Sequence, residues 1–173
     1  MATTTLSNPE KRERLTELTS SFDTAMLVTH TQEGRLHSRP LSVAHNEDDP
    51  ERLYFSTAIE SEKVAELDAN PDANVSMQGK RRFVSISGKV TISRDPALID
   101  KLWSESWRIW FPEGKDDPSL CVLIVDPSEA SYWDASGAQG IKYLFEMAKA
   151  YVTGTRPSSD ADERHVAEVE LNH

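Results

Sequence analysis

The clearest pattern in the chain is a strict alternation through its middle. Val84, Ile86, Gly88, Val90 and Ile92 fall on one side at period two, and Ser85, Ser87, Lys89 and Thr91 fall on the other. A strand with one face in a core has that signature, so a strand is predicted over Phe83–Ser93. Shorter runs predict strands at Ala25–Thr31, Leu36–Ala44, Leu53–Thr57 and Val75–Gln78, with a tight turn at Gln32-Glu33-Gly34 joining the first two. Cys121–Val125 is apolar throughout and reads as a strand covered on both faces, with Ala130–Asp134 as a further one. Helical spacing appears in four places. Pro9–Ser20 reads as a surface helix capped by Asn8, with Leu15 and Leu18 as its apolar positions. Val64, Ala65 and Leu67 follow Ser61 at helical spacing, and Asn70-Pro71 stops that helix. Asp95-Pro96 opens a third, expected to reach about Trp107, and Gly140–Tyr151 supplies a fourth. Residues 1–8 and 155–173 read as flexible ends, leaving 9–154 as the folded unit. Mostly hairpin-connected strands with short helices between them point to one α+β domain, mainly β, around a small barrel.

Composition narrows the function classes. At 173 residues and 38% hydrophobic, the chain can bury a sizeable core without disulfides or metal. Its longest apolar run, Cys121–Val125, falls far short of the roughly 20 residues needed to span a bilayer. The Thr-rich start has no apolar stretch of signal-peptide type, so a cytoplasmic location is expected. The single cysteine, Cys121, lies inside the apolar run and is expected to be a buried structural thiol. Nineteen Lys and Arg against 29 Asp and Glu give a net charge of −10, which argues against a nucleic-acid partner. One stretch departs from that balance: Gly79–Arg94 holds Lys80, Arg81, Arg82, Lys89 and Arg94 and no acid. It reads either as part of a site for a small anion or as a solvated strand edge kept from aggregating.

Three constellations carry chemistry. In Ser56-Thr57-Ala58-Ile59-Glu60-Ser61-Glu62-Lys63, a strand ends in two hydroxyls and a helix begins with Ser61 and Lys63 in its first turn. Free backbone N–H groups and the positive dipole end suit an anion there, and a lysine in a first turn otherwise disfavours the helix. The competing reading has Ser61 as a plain N-cap and Lys63 in solvent. In His37-Ser38-Arg39-Pro40-Leu41, the proline marks an edge or bulge, and Arg39 either faces an acceptor in a pocket or protects an edge. Three of the four tryptophans, Trp103, Trp107 and Trp110, lie within eight residues and suit core or subunit-interface packing, whereas Trp133 stands at a strand end. His30, His37 and His45 show no metal-ligand spacing, and no nucleophile elbow or phosphate-binding glycine loop is present.

Taken in order, the Ser38-Arg39-Pro40-Leu41, Tyr54-Phe55-Ser56-Thr57, Ser61-x-Lys63 and Asn70-Pro71 segments resemble the FMN-binding split-barrel superfamily typified by pyridoxamine phosphate oxidase. Phe83-Val84-Ser85-Ile86-Ser87-Gly88, Trp110-Phe111-Pro112-Glu113-Gly114 and Tyr132-Trp133-Asp134 resemble its bacterial general stress protein branch. The resemblance covers roughly residues 10–154. It implies a split β-barrel and a homodimer with FMN in a cleft at the subunit interface. Carried over by position, Arg39, Pro40 and Leu41 lie along the isoalloxazine ring, Ser56 and Thr57 reach the ring or ribityl chain, and Ser61 and Lys63 hold the phosphate. Trp133 comes to the flavin from the other subunit. The implied function is a flavin-dependent oxidoreductase, with a non-catalytic flavin binder (sensor, store or scavenger) as the alternative and a haem or deazaflavin user as a third reading. The sequence also departs from the oxidases. Glu62 stands where they carry a second basic phosphate ligand, with Lys80, Arg81 or Arg82 as candidates to compensate. Phe83 replaces a flavin-contacting Gln, and their Arg-rich substrate motif has no counterpart after Trp133. Oxidation of pyridoxamine phosphate is therefore not expected.

Overall fold

In the computed structural model, which describes residues 8–134 and 166–171, the alternating segment becomes β5 (Arg82–Ser93), with Val84, Ile86, Gly88 and Val90 buried. Before it come α1 (Asn8–Thr19), β1 (Thr24–His30), β2 (Leu36–Ala44), β3 (Leu53–Ala58), α2 (Glu62–Ala69) and β4 (Asp72–Gln78). After it come α3 (Pro96–Leu102), β6 (Leu120–Asp134) and β7 (Val166–Glu170). The strands pair in the order β3-β2-β1-β4-β5-β6-β7, and β3 also pairs with β6. That pairing runs antiparallel from Leu53↔Val125 to Ala58↔Leu120. It closes six strands into a barrel, which removes their free edges. β7 lies outside the ring, against Glu129–Trp133 of β6. The first half of β6 thus belongs to the barrel through β3, and the second half turns away to pair with β7. This is the mainly-β barrel with short peripheral helices that the pattern predicts, and the split barrel that the resemblance implies.

Two cores explain the apolar run at Cys121–Val125. Cys121, Leu123 and Val125 face the barrel interior with Leu27, Phe55, Val75, Val84 and Ile86. Leu120 and Val122 face the other way, against Tyr54, Ile99, Leu102, Trp107 and Phe111. α1 lays Leu15 and Leu18 on the interior cluster beside Val169 and Leu171. Among the described residues no helix is long and apolar enough to cross a membrane.

The structure corrects three expectations. Ala130–Asp134 is not a separate strand but the second half of a 15-residue β6. Pairing continues past Pro127 because the register slips between Ser87 and Gly88: Gly88 opposes Pro127 while Ser87 opposes Glu129. Such a bulge accommodates a residue that cannot donate to the ladder. The third helix ends at Leu102 rather than near Trp107. The Ser104 hydroxyl accepts from the Ser106 N–H and starts a separate 3-10 turn, Glu105–Ile109. Trp103 and Trp107 still meet across the break, edge to face at 5.7 Å. Finally, the stretch 155–173 is not a flexible tail throughout, since Val166–Glu170 forms β7. Its acids obscured the apolar positions Val169 and Leu171, which are buried in the core. The expected helix at Gly140–Tyr151 and most of the expected flexible start lie outside the described residues.

Candidate functional site

The site begins where β3 leaves the barrel. The Ser61 N–H donates to the Ala58 carbonyl, and the Ser61 carbonyl accepts from Val64 and Ala65, which starts α2. Ser61 takes the N-cap position with extended backbone, but its hydroxyl makes no capping bond. It lies instead 3.5 Å from Thr57 Oγ1. Lys63 folds back over the same turn, and its Nζ donates to Thr57 Oγ1 at 3.0 Å. The ammonium is half-buried, and no carboxylate lies within ion-pair distance of it among the described residues. Burial first, and the neighbouring charge of Arg39 second, push its pKa below the usual lysine value. The plain reading holds only in part: Ser61 is the N-cap residue, though its side chain makes no capping bond, and Lys63 is half-buried rather than in open solvent. Ser56, half-buried on β3, sits one residue before Thr57.

β2 supplies the second part. Arg39 points toward α2, where its Nη2 donates to Glu66 Oε2 at 2.6 Å and its Nη1 to Thr29 Oγ1 at 2.7 Å. Thr29 donates in turn to Glu66 Oε2 at 2.6 Å. Arg39 therefore protects no edge; it faces a buried carboxylate, and two of its five N–H donors are engaged there. Leu41 packs against the barrel core, whereas Pro40, paired with Met26 of β1, is exposed. Sequence reasoning missed Glu66 altogether. The helical pattern took Ala65 as an inward position, but Ala65 is exposed and Glu66 is 2% exposed. A carboxylate beside Val64 and Leu67 on a short amphipathic helix was the available signal.

Arg39, Thr57, Ser61 and Lys63 thus lie close together, whereas Ser56 faces the side of β3 that carries Tyr54 and Ala58, Leu41 packs against the core and Pro40 is exposed. Trp133 is not among them. Thr57 pairs with Cys121 at the start of β6, and Trp133 stands at the far end of that strand, on the order of 40 Å of extended chain away. There it opposes Phe83 of β5, and the two rings are 40% and 39% exposed. The basic stretch divides in the same way. Arg82 opposes Asp134, next to Trp133, donates to Ser21 Oγ and lies over the Phe22 ring. Lys89 pairs with Asp72. Arg94 lies at the other end, beyond Ser93, which opposes Val122, and its charge reaches Cys121 together with that of Lys63. In one chain, then, Arg94 and not Lys80, Arg81 or Arg82 shares an end with the Lys63 turn. Cys121 itself is buried and its thiol pKa is pushed up to about 11 by burial, as suits a structural thiol. A groove of about 760 Å³ over β1, β4 and β5 includes none of the eight expected residues.

Comparison with known proteins places this arrangement. The family profile of pyridoxamine 5'-phosphate oxidase-like proteins matches residues 10–158. The chain belongs to that family. Among its pyridoxamine 5'-phosphate oxidase-like relatives, general stress protein 26 of Bacillus subtilis (strain 168) is 32% identical over 109 residues, covering 60% of this chain and 75% of the relative. A crystal structure of a putative general stress protein 26 from Jannaschia sp. CCS1 is 26% identical with a TM-score of 0.71, over 95% of this chain and 99% of the other. The general stress FMN/FAD binding protein of Xanthomonas citri is 27% identical with a TM-score of 0.63, over 76% of this chain and 93% of the other. Within the pyridoxamine 5'-phosphate oxidase-like family, the chain falls with general stress protein 26.

Proposed function

We propose that this general stress protein 26 relative binds FMN and works as a flavin-dependent oxidoreductase, as a homodimer with the flavin between subunits. The observation that carries the reading is the half-buried Lys63 ammonium, with no carboxylate at ion-pair distance among the described residues, next to a Ser61 hydroxyl that does not cap its own helix. A phosphate fits that turn. It would accept from Lys63, Ser61 and the first N–H groups of α2, and it would offset the desolvation that depresses the lysine. Thr57 orients the ammonium, and Arg39 and Leu41 present one side of β2 toward the ring. The structural relative from Xanthomonas citri, itself described as an FMN/FAD binding protein, supports the choice of ligand. When bound, the flavin supplies the electron-transfer chemistry, and the protein supplies position and electrostatics.

The test is fluorescence titration of FMN into the purified chain and its Lys63→Ala variant. Loss of the charged contact is expected to weaken binding by about 1–3 kcal/mol, and equal affinities would place the phosphate elsewhere. Turnover is tested on the same sample by anaerobic mixing with NADH or NADPH. Bleaching of the flavin band, reversed by an acceptor, is the expected result for an oxidoreductase. A flavin that binds but stays oxidised with both donors would make the protein a binder rather than a reductase.

A further inference from the structure

We propose that His37, Glu62 and Glu66 form a binding site for one first-row divalent cation of the zinc(II) class. The three residues come from two elements, His37 from β2 and the two acids from α2, and their donor atoms all lie within 4.8 Å of one another. Glu62 and Glu66 are four residues apart on the helix, so both carboxylates lie on one face. Glu66 is the anchor. Its Oε2 is held by Thr29 and Arg39, which fixes the carboxylate and leaves Oε1 as a single available donor. That oxygen is buried and accepts no hydrogen bond among the described residues. A buried carboxylate oxygen without a donor is costly, and such atoms in native proteins usually have an explanation.

The spacing supplies one. His37 Nδ1 stands 3.5 Å from Glu66 Oε1, too long for a good N–H···O bond. Two ligands that each sit about 2.0–2.1 Å from one tetrahedral zinc are themselves about 3.3 Å apart. The pair therefore matches the edge of a coordination polyhedron better than a hydrogen bond. Glu62 is exposed and can swing to supply the third ligand. The 44% exposed His37 side chain leaves the outer side open to water. One imidazole with two carboxylates favours zinc or its first-row neighbours over magnesium or calcium, which prefer all-oxygen sites. Arg39 and Lys63 lie close by and lower the affinity that two carboxylates would otherwise give. The ligands are scattered along the chain, so no spacing motif announces them.

The test is calorimetric titration of Zn²⁺ into the tag-free purified chain, with Co²⁺ absorption as a probe of coordination. The expected result is one ion per chain and visible Co²⁺ bands of a low-symmetry site. His37→Ala and Glu62→Gln should each weaken Zn²⁺ binding by about tenfold or more and abolish the Co²⁺ bands. Both leave the Arg39–Glu66 pair in place, so the fold should persist in each, as circular dichroism would verify. His45→Ala, outside the cluster, should bind like the parent. Absence of stoichiometric binding, or binding that neither His37→Ala nor Glu62→Gln changes, would overturn the assignment.

Discussion

Glu66 shows how one side chain can organise a site. A carboxylate 2% exposed should be driven toward its neutral form. Burial does push its pKa up, but hydrogen bonds from Thr29 and Arg39, the charge of Arg39 and the proximity of His37 outweigh that and leave it below the ordinary value of 4.5. The sign of the linkage follows. A carboxylate with a depressed folded pKa stabilises the fold above its unfolded value, and that stabilisation is lost as pH falls through the folded value. Glu66→Gln should cost about 3–5 kcal/mol near neutrality, because it leaves the Arg39 charge buried without its partner. The gap between parent and variant should shrink as pH falls below about 4.5. Urea unfolding at a series of pH values measures it. A gap that stays constant from neutral to acidic pH would mean that the ionised carboxylate is not what holds Arg39.

At the scale of elements, the strands whose pattern is local were legible and those shaped by distant pairing were not. The alternation of β5 and the two-faced burial of Cys121–Val125 follow directly from side-chain period and were read correctly. So were the ends of α2, because Ser61 at its start and Asn70-Pro71 at its stop are local signals. The continuity of β6 was not legible, because it depends on a bulge set by the partner strand. β7 was hidden because its short run, Val166–Glu170 with two acids in five residues, makes a strand only through pairing with β6, which is distant in sequence. Glu66 was missed for the same reason, since its partners Thr29 and Arg39 come from β1 and β2. The bulge gives the element-scale prediction. A Cβ on Gly88 would stand 2.2 Å from the Asp126 carbonyl oxygen, and the next contacts are also backbone. Neither strand can yield without breaking the ladder. Gly88→Ala should therefore destabilise by about 1–3 kcal/mol or more, read as a lower midpoint in thermal or urea unfolding. An unchanged midpoint would show that β5 and β6 can separate at the bulge without cost.

At the scale of the molecule, the proposed flavin site draws on two chains. β2 lies between β1 and β3 in the sheet, yet Leu36, His37, Ser38, Pro40 and Ser42 are all exposed. Ile109 and Trp110 are 79% and 77% exposed, which is unusual for large apolar side chains unless a partner covers them. Lys63 and Trp133 stand at opposite ends of β6, so one chain does not bring both to one flavin. In the proposed dimer, a two-fold axis that sets the Lys63 end of one chain against the Trp133 end of its partner would bring both to one flavin and give two equivalent sites. Light scattering should accordingly give about twice the 19.4 kDa of one chain, and a monomer mass would remove the basis for a shared site. A mixed dimer makes the sharper test. One subunit carries Lys63→Ala and the other Trp133→Ala. If each site takes Lys63 from one chain and Trp133 from the other, one site receives both substitutions and the second receives neither. Half of the flavin should then bind with the parent affinity. If each site is built within one chain, every site carries one substitution and none binds like the parent. The two arrangements differ in the amplitude of the tight phase of the titration once each single substitution, in its own homodimer, measurably weakens binding.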